Sequence, residues 1–287
     1  MIERATQWPA PAKLNLFLHI VGRRSDGYHL LQTVFQILDW GDTLTLRVRA
    51  DGLLTRDGDV HGVPRESDLA LRAAHLLQQR TGCPLGVEIR LDKRVPVGGG
   101  LGGGSSDAAT ALVALNEIWA TGLAEDELAE LAIGLGADVP LFVRGHSAWA
   151  EGVGERLTPI ELPARHYVIA DPRVSVATAA LFQAAELTRN SAKTTISGFL
   201  AGTKTSNAFA PLVRARYPQV AAALDWLGQY GEARLTGSGG CVFLALDSAK
   251  EAETIVRSCP PEFAAYRAAG MARSPLLDAL EEYRREA

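Results

Sequence analysis

Alternating apolar and polar side chains predict that the first third of the chain is rich in β-strands. The segment KLNLFLHIV, residues 13–21, has the period of two that is typical of a half-buried strand. Asp26 and Gly27 then indicate a turn. The runs TVFQILDW, TLTLRVRA and VEIRLDKRV predict three more strands. An amphipathic segment from about residue 67 to residue 80 predicts a helix before the last of them.

Helical patterns follow in the middle of the chain. The small-residue segment SSDAATALVALNEIW and the segment EDELAELAIGLG, which ends in glycine, predict two helices that pair over the sheet. After Pro163 the pattern predicts a short strand at HYVIA, several helices, a strand pair around ARLTGSGGCVFLAL and a terminal helix. We therefore expect two lobes of mixed α and β structure, residues 1–162 and residues 163–287.

Length and composition agree with a globular protein large enough for a cleft between lobes. The chain has 287 residues, of which 47% are hydrophobic and 22% charged. Its formal net charge of -4 argues against nucleic-acid binding, which depends on basic surfaces. Nothing in the sequence indicates an obligate protein partner.

Localisation is predicted from what the sequence lacks. No apolar run approaches the roughly 20 residues of a membrane helix. The first residues, MIERATQWPAPAK, have no secretion signal. The cysteines Cys83, Cys241 and Cys259 are scattered, without disulfide-framework or zinc-site spacing. These features predict a cytoplasmic protein with reduced thiols.

The strongest chemical signal is the glycine-rich segment PVGGGLGGGSSDAATAL, which begins at Pro96. So many glycines lose much backbone entropy on ordering, and they allow backbone N–H groups to approach an anion. Ser105 or Ser106 is expected to cap the helix that follows, whose N-terminus favours phosphate. The segment therefore predicts a polyphosphate site, although a flexible hinge or a close-packed turn is the alternative.

Two other phosphate-binding loops fit the sequence less well. A Walker A loop needs a lysine after its last glycine, and Gly104 is followed by serine. The pattern Gly98-x-Gly100-x-x-Gly103 matches a dinucleotide fingerprint. However, DKRVPV precedes it in place of the expected strand, and no ribose-binding acid follows about 20 residues later.

Isolated polar residues elsewhere suggest a reaction centre. Asp138, in LGADVP, lies after a glycine and before a proline, on a connection where a carboxylate can point into a cleft. Lys13 and Asn15 share one face of the first strand. A capping aspartate and a solvated edge lysine are the alternatives.

Two further segments could contact a ligand. In RLTGSGGCVFLA, the glycines around Ser238 indicate a hairpin bend or a second backbone approach to substrate or phosphate. In SDGYHLLQTVFQ, the residues Tyr28, His29 and Phe35 combine aromatic rings with hydrogen-bonding groups, which suits an aromatic base. Core packing is an equally good explanation of Phe35.

Together the segments PAKLNLFL, DGYHLLQTVFQ, VGGGLGGGSSDAA, LGADVP and TGSGGCVF, in this order, resemble the GHMP small-molecule kinases. The resemblance extends over nearly the whole chain. It implies a two-lobed α+β fold, with an N-terminal lobe like ribosomal protein S5 domain 2 and a ferredoxin-like C-terminal lobe. It also implies ATP as phosphoryl donor, Mg²⁺ as cofactor, and a metabolite that carries a cytidine diphosphate group as acceptor.

The resemblance assigns roles to individual residues. Asp138 would be the catalytic base and Lys13 its partner. The ATP-binding residues would be Asp68, Lys93, Pro96, Val97, Gly98, Gly99, Gly100, Leu101, Gly102, Gly103, Gly104, Ser105, Ser106 and Thr178. The substrate-binding residues would be Asn15, Tyr28, His29, Phe35, Phe182, Gly237, Ser238 and Gly239.

Some points stay open at this level. Kinases of this kind often have asparagine where this chain has Asp68, and an ionised carboxylate accepts hydrogen bonds but donates none. No magnesium ligand is assigned. Kinases of homoserine, mevalonate or galactose, a dinucleotide-dependent oxidoreductase and a noncatalytic nucleotide-binding module are the alternative functions.

Overall fold

The computed structural model describes residues 5–60 and 63–286. The first four residues of the stretch considered for a secretion signal lie outside these ranges. The described residues form an α+β protein, and their ten strands belong to one sheet. None of the helices in these ranges has the length and apolarity needed to cross a membrane.

Strands and helices alternate irregularly along the chain. The strands are β1 (Thr6–Arg23), β2 (His29–Arg49), β3 (Leu54–Asp57), β4 (Gly86–Asp92), β5 (Ala148–Glu151), β6 (Arg156–Pro159), β7 (His166–Asp171), β8 (Arg234–Leu235), β9 (Val242–Leu246) and β10 (Ala264–Met271). The helices are α1 (Leu69–Thr81), α2 (Gly103–Ile118), α3 (Glu125–Ile133), α4 (Val139–Arg144), α5 (Thr178–Gln183), α6 (Ile196–Leu200), α7 (Ala210–Arg216), α8 (Pro218–Gly228), α9 (Ala249–Arg257) and α10 (Pro275–Glu286).

The strands β1 and β2 form one long antiparallel hairpin. The prediction of two strands in the region of β2 was wrong, because a single strand of 21 residues runs through both. Gly41, between the two predicted strands, passes so close to β1 that a side chain there would come 2.8 Å from the carbonyl carbon of Ala10. Glycine at this position therefore permits a close strand approach and does not make a turn.

The two halves of the chain are joined by β10, which the sequence did not predict. It pairs with β2 at Gly270 and Met271, and with β7 along most of its length. After β10 the chain returns to the first half, where Leu276 of α10 is buried in the same core as α1 and α2. The rings of Trp8 and Tyr283 lie 5.3 Å apart at this contact. The division at residues 162 and 163 stays a prediction.

Small residues allow α2 to lie at the centre of the first core. Its alanines Ala108, Ala109 and Ala111 are fully buried, and the helix packs between the sheet and the neighbouring helices. A helix that is apolar on all sides is typical of such a position. The packing holds the N-terminus of α2 rigidly where the glycine-rich segment ends.

Candidate active site

The glycine-rich segment forms an irregular loop that leads into α2. Gly98, Gly100 and Gly102 have φ angles of 74°, 79° and 74°, in the left-handed region that glycine adopts easily. The expectation that Ser105 or Ser106 caps the helix was wrong, because the N-cap is Gly102 and no side chain caps the helix. The helix begins earlier than expected, and its first N–H groups are left for another acceptor.

A second glycine loop, residues 237–240, lies directly against the first. The backbone N–H of Cys241 donates a hydrogen bond of 3.1 Å to the carbonyl oxygen of Gly99. A Cβ on Gly100 would lie 3.0 Å from the backbone nitrogen of Gly239. Side chains at these positions would separate the loops, so glycine is required for the close approach.

Lys13 occupies the centre of the site, between the first glycine loop and Asp138. Its ammonium nitrogen lies 3.3 Å from Oδ2 of Asp138 and donates a hydrogen bond of 3.0 Å to the carbonyl oxygen of Gly100. It lies 2.5 Å from Oδ1 of Asn15, and it is 5.3 Å from the centre of the Phe35 ring. Lys13 is therefore not a solvated edge lysine, since only 3% of its surface is exposed.

The Asp138 carboxylate is the exposed member of this pair. Asp138 is the N-cap of α4 but makes no side-chain capping bond, and 31% of its side chain is exposed. The preceding segment lies near the first turn of α2, since a Cβ on Gly136 would be 3.8 Å from Oγ of Ser105. Asp138 thus pairs with Lys13 close to the segment that lies beside the first turn of α2, and part of its carboxylate faces solvent.

Asn15 is held in place by buried hydroxyl groups. Its side-chain amide donates a 2.9 Å bond to Thr33, and its backbone N–H donates a 3.0 Å bond to Thr236. Thr236 comes from the second half of the chain and also donates to the carbonyl oxygen of Gly100. These bonds leave Oδ1 of Asn15 to accept from Lys13, which orients the ammonium group.

Lys93 forms a buried cluster with two carboxylates. Its ammonium nitrogen lies 2.5 Å from Oδ2 of Asp42 and 2.7 Å from Oδ2 of Asp107. Oδ1 of Asp42 accepts hydrogen bonds from the backbone N–H groups of Arg94 and Val95. The cluster thus connects the segment that enters the glycine loop with the first turn of α2, where the loop ends.

The charges in this cluster do not balance. Burial raises the pKa of Asp107 to about 8, with the Asp42 carboxylate adding to the rise and Lys93 opposing it. Burial acts to lower the pKa of Lys93, but the Asp107 and Asp42 carboxylates outweigh it and the pKa is raised. Lys93 therefore stays charged, and Asp107 is the member that takes up a proton.

Asp68 has a structural role that accounts for both of its carboxylate oxygens. Oδ1 accepts from the backbone N–H groups of Ala70 and Leu71 as the N-cap of α1. Oδ2 accepts a 2.9 Å bond from Arg56, and both side chains of this ion pair are buried. The next residue, Leu69, lies beside Gly104. An ATP contact by Asp68 stays a prediction.

The turn of the β1–β2 hairpin carries an aromatic cluster. The rings of His29 and Phe182 are stacked with their centres 4.9 Å apart, and Phe182 also meets Phe209 edge to face. Tyr28 is beside them in the sequence, with 65% of its surface exposed. Phe35 lies further along β2 and is buried, so it belongs to the core as well as to the site.

The structure brings most of the predicted residues into two groups. The first group contains Lys13, Asn15, Asp138 and both glycine loops. The second group contains His29 and Phe182. Oγ1 of Thr178 is 2.7 Å from Oγ of Ser238, which connects α5 with the second glycine loop. What each residue binds stays a prediction.

Sequence reasoning missed several residues of the site. Asp42 follows a glycine in a segment that resembles an ordinary turn, and Arg189 lies in the loop ELTRNSAK, which has no local pattern. Arg189 donates a 3.1 Å hydrogen bond from its Nε to Nε2 of His29. Neither residue gave a signal, because their partners are distant in the sequence.

Known protein families match both halves of the chain. The family model "GHMP kinases N terminal domain" matches residues 68–146, and "GHMP kinases C terminal" matches residues 189–265. The 4-diphosphocytidyl-2-C-methyl-D-erythritol kinase of Xanthomonas axonopodis pv. citri is 57% identical over 273 residues, which are 95% of this chain and 92% of that protein. The protein of the same name from Aromatoleum aromaticum is 53% identical over 96% of both chains.

Solved structures give the same result. A crystal structure of 4-(cytidine 5'-diphospho)-2C-methyl-D-erythritol kinase matches with a TM-score of 0.81 and 32% identity, over 92% of this chain and 99% of the other. A homoserine kinase from Cytophaga hutchinsonii matches with a TM-score of 0.67 and 18% identity, over 96% of both chains. The second likeness shows the fold alone. The predicted two-lobed α+β fold is confirmed.

Proposed function

The chain belongs to the GHMP kinases and, within them, to the 4-diphosphocytidyl-2-C-methyl-D-erythritol kinases, and we propose that it phosphorylates the substrate of that name. The γ-phosphoryl group of ATP is transferred to the 2-hydroxyl group, and the products are the 2-phosphate and ADP. The reaction belongs to the synthesis of isoprenoid precursors by the non-mevalonate route.

The distance along the β1–β2 hairpin is the observation that supports this substrate best. Lys13 and Asn15 pair with Ile37 and Phe35, whereas His29 begins β2 beside the turn. The six residue steps from His29 to Phe35 span about 20 Å of extended strand. An acceptor with an aromatic base at one end and a hydroxyl group at the other, joined by a diphosphate, fits such a separation. Homoserine or mevalonate would occupy only one end.

Asp138 is proposed to be the general base. Its carboxylate takes the proton of the 2-hydroxyl group while the hydroxyl oxygen forms a bond to the γ-phosphorus, and the bond from that phosphorus to the β,γ-bridging oxygen breaks. General-base catalysis contributes about 10² to 10⁴ in rate. The exposed face of Asp138 supports this role, since a substrate hydroxyl group can reach it.

Lys13 is proposed to act as the cationic partner of Asp138. Its ammonium group is 3.3 Å from the carboxylate and is oriented by Asn15 and Gly100. A fixed positive charge at this point stabilises negative charge on the transferring phosphoryl group without reorganisation.

The first glycine loop and the N-terminus of α2 are proposed to bind the ATP phosphates. The uncapped N–H groups of the first helical turn and the positive end of the helix dipole favour a polyphosphate. The Oγ atom of Ser106 is buried, and among the described residues it has no hydrogen-bond partner. A phosphate oxygen or its bound cation would supply that partner.

Mg²⁺ fits this site only as an ion carried largely by ATP. No cluster of three or more His, Cys, Asp or Glu side chains that could hold a metal occurs in the parts of the chain that the structure describes. Asp138, with its partly exposed carboxylate, and Ser106, with its unpartnered hydroxyl, would be the protein groups to hold it. When bound, Mg²⁺ would offset charge on the phosphate oxygens, and it usually retains several waters and few protein ligands.

The proposed function is tested by ADP release from ATP and Mg²⁺. The acceptors compared are 4-diphosphocytidyl-2-C-methyl-D-erythritol, homoserine, mevalonate and galactose, with Asp138→Asn as the inactive variant. We expect ADP only with the cytidine compound, and a rate that falls about 10²- to 10⁴-fold in the variant. ADP with a different acceptor would exclude this substrate. A variant as active as the wild type would exclude Asp138 as the base.

A further inference from the structure

The hydrogen bond between Arg189 and His29 determines which ring nitrogen of the histidine carries hydrogen. Nε of Arg189 lies 3.1 Å from Nε2 of His29. A guanidinium group has only donors, so Nε2 of His29 must be the acceptor. The imidazole is then neutral, and its single hydrogen is on Nδ1.

Arg189 is held in a fixed position for this contact. Its Nη2 donates bonds of 2.9 Å and 2.7 Å to the carbonyl oxygens of Phe182 and Ala184, and its Nη1 donates a bond of 3.1 Å to the carbonyl oxygen of Leu187. Phe182 in turn stacks on the His29 ring. The same arginine therefore secures the aromatic partner of the histidine and the hydrogen-bonding state of the ring.

The charged groups around His29 also favour the neutral form of its ring. Burial lowers the pKa of His29, and the positive charges of Arg189 and Arg23 lower it further. Arg23 reaches the turn from the end of β1, where its Nε donates to the carbonyl oxygen of Gly27. Phe182, from α5, is the uncharged neighbour. Two cations act on the ring and, among the residues that the structure describes, no carboxylate does, so the ring resists protonation.

We infer that Arg189 is a positioning residue, which holds His29 as a neutral hydrogen-bond donor for an acceptor atom of the substrate's pyrimidine base. The inference rests on the proposed function, in which His29 belongs to the cytidine site. Without Arg189 the ring would exchange its hydrogen between the two nitrogens and would become a cation at mildly acidic pH. Binding of the base would then depend on pH.

The hydrogen-bonding state is tested directly by nitrogen-15 NMR of the wild-type protein. The chain has six histidines, so the His29 signals are assigned by their loss in His29→Asn. We expect the hydrogen on Nδ1 and a pKa below that of an ordinary histidine. A hydrogen on Nε2, or an ordinary titration, would overturn the inference. This measurement needs no variant of Arg189 and no turnover.

Steady-state kinetics between pH 5.5 and pH 7.5 provide the second test. In Arg189→Gln, whose amide can donate or accept, we expect KM for the cytidine substrate to rise about tenfold as pH falls through the range, because an ordinary histidine becomes protonated there. In the wild type we expect KM to rise less over the same range. In both proteins kcat should change little. Arg189→Lys, which can only donate, should restore much of the wild-type profile.

Arg216→Gln is the matched control. Arg216 pairs with Glu186, so it secures the same segment without touching His29. Its KM profile should match the wild type. Equal profiles for Arg189→Gln and the wild type would overturn the inference. If the wild type has the Nδ1–H form but does not phosphorylate the cytidine compound, the proposed function fails while the role of Arg189 on His29 stands.

Discussion

Gly100 and Gly239 bring the two glycine loops into direct backbone contact. A Cβ on Gly100 would lie 3.0 Å from the Gly239 nitrogen, and a Cβ on Gly239 would overlap the Gly100 backbone. Gly100 also accepts the hydrogen bond of Lys13 through its carbonyl oxygen. Contact between the loops therefore helps to fix the position of the proposed catalytic lysine.

The change Gly239→Ala should damage both stability and turnover. The added methyl group overlaps backbone atoms, which cannot move as a flexible side chain would, so we expect a loss of about 1–3 kcal/mol in unfolding free energy. We also expect a large fall in kcat, since Gly100 must shift. Urea unfolding and ADP release measure the two effects.

Gly228→Ala is the control for this prediction. Gly228 ends α8, and nothing lies within 4 Å of the position that its Cβ would take. The change should be neutral or stabilising by less than about 1 kcal/mol. If both alanine variants behaved alike, the loop contact would not be a constraint.

Lys93→Met should destabilise the fold more than it weakens ATP binding. The change leaves Asp42 and Asp107 close together, buried and without their cation, which typically costs about 3–5 kcal/mol. The double variant Lys93→Met with Asp42→Asn removes the carboxylate that is left without its cation, keeps an oxygen for the backbone N–H groups of Arg94 and Val95, and should recover part of the loss. A stable single variant with only a raised KM for ATP would instead make Lys93 a nucleotide ligand.

The unfolding free energy should depend on pH through Asp107. Its folded pKa of about 8 is above the ordinary value of 3.8, so the folded protein retains a proton that the unfolded chain has released between these values. The stability from this group is complete below the ordinary pKa and is lost as pH rises to about 8. The slope is at most about 1.4 kcal/mol per pH unit.

Asp107→Asn should flatten that slope, since the amide does not titrate. Asp126→Asn is the control, because Asp126 is exposed and pairs with Arg144 at the surface. Urea unfolding from pH 5 to pH 8 provides the comparison. An unchanged slope in Asp107→Asn would mean that the carboxyl group does not hold the proton.

Asp68→Asn tests whether Asp68 caps α1 or contacts ATP. Asparagine is a good N-cap, so the change keeps the helix start and removes the ion pair with buried Arg56. We expect a loss of about 3 kcal/mol in stability, with KM for ATP unchanged in the folded protein. Asp68→Ala should cost about 1 kcal/mol more, because the cap is also lost. A change confined to KM would indicate a nucleotide contact.

Local sequence patterns determined the elements that carry the site. Alternation predicted β1, and the spacing of Lys13 and Asn15 predicted that they share a face, as their hydrogen bond confirms. The glycine loop and the helix after it were also predicted, because left-handed turns and helix starts depend on residues close together in the chain. The exact N-cap, Gly102, was missed by a few residues.

Only the tertiary structure decided how these elements meet. The burial of Lys13, the contact of Gly100 with Gly239, the cluster of Lys93 with Asp42, and the bond from Arg189 to His29 each join distant parts of the chain. Even the second half of the sheet depends on β10, which returns from the end of the chain to pair with β2. Local periodicity does not indicate such partners, because packing and the need to satisfy buried polar groups select them.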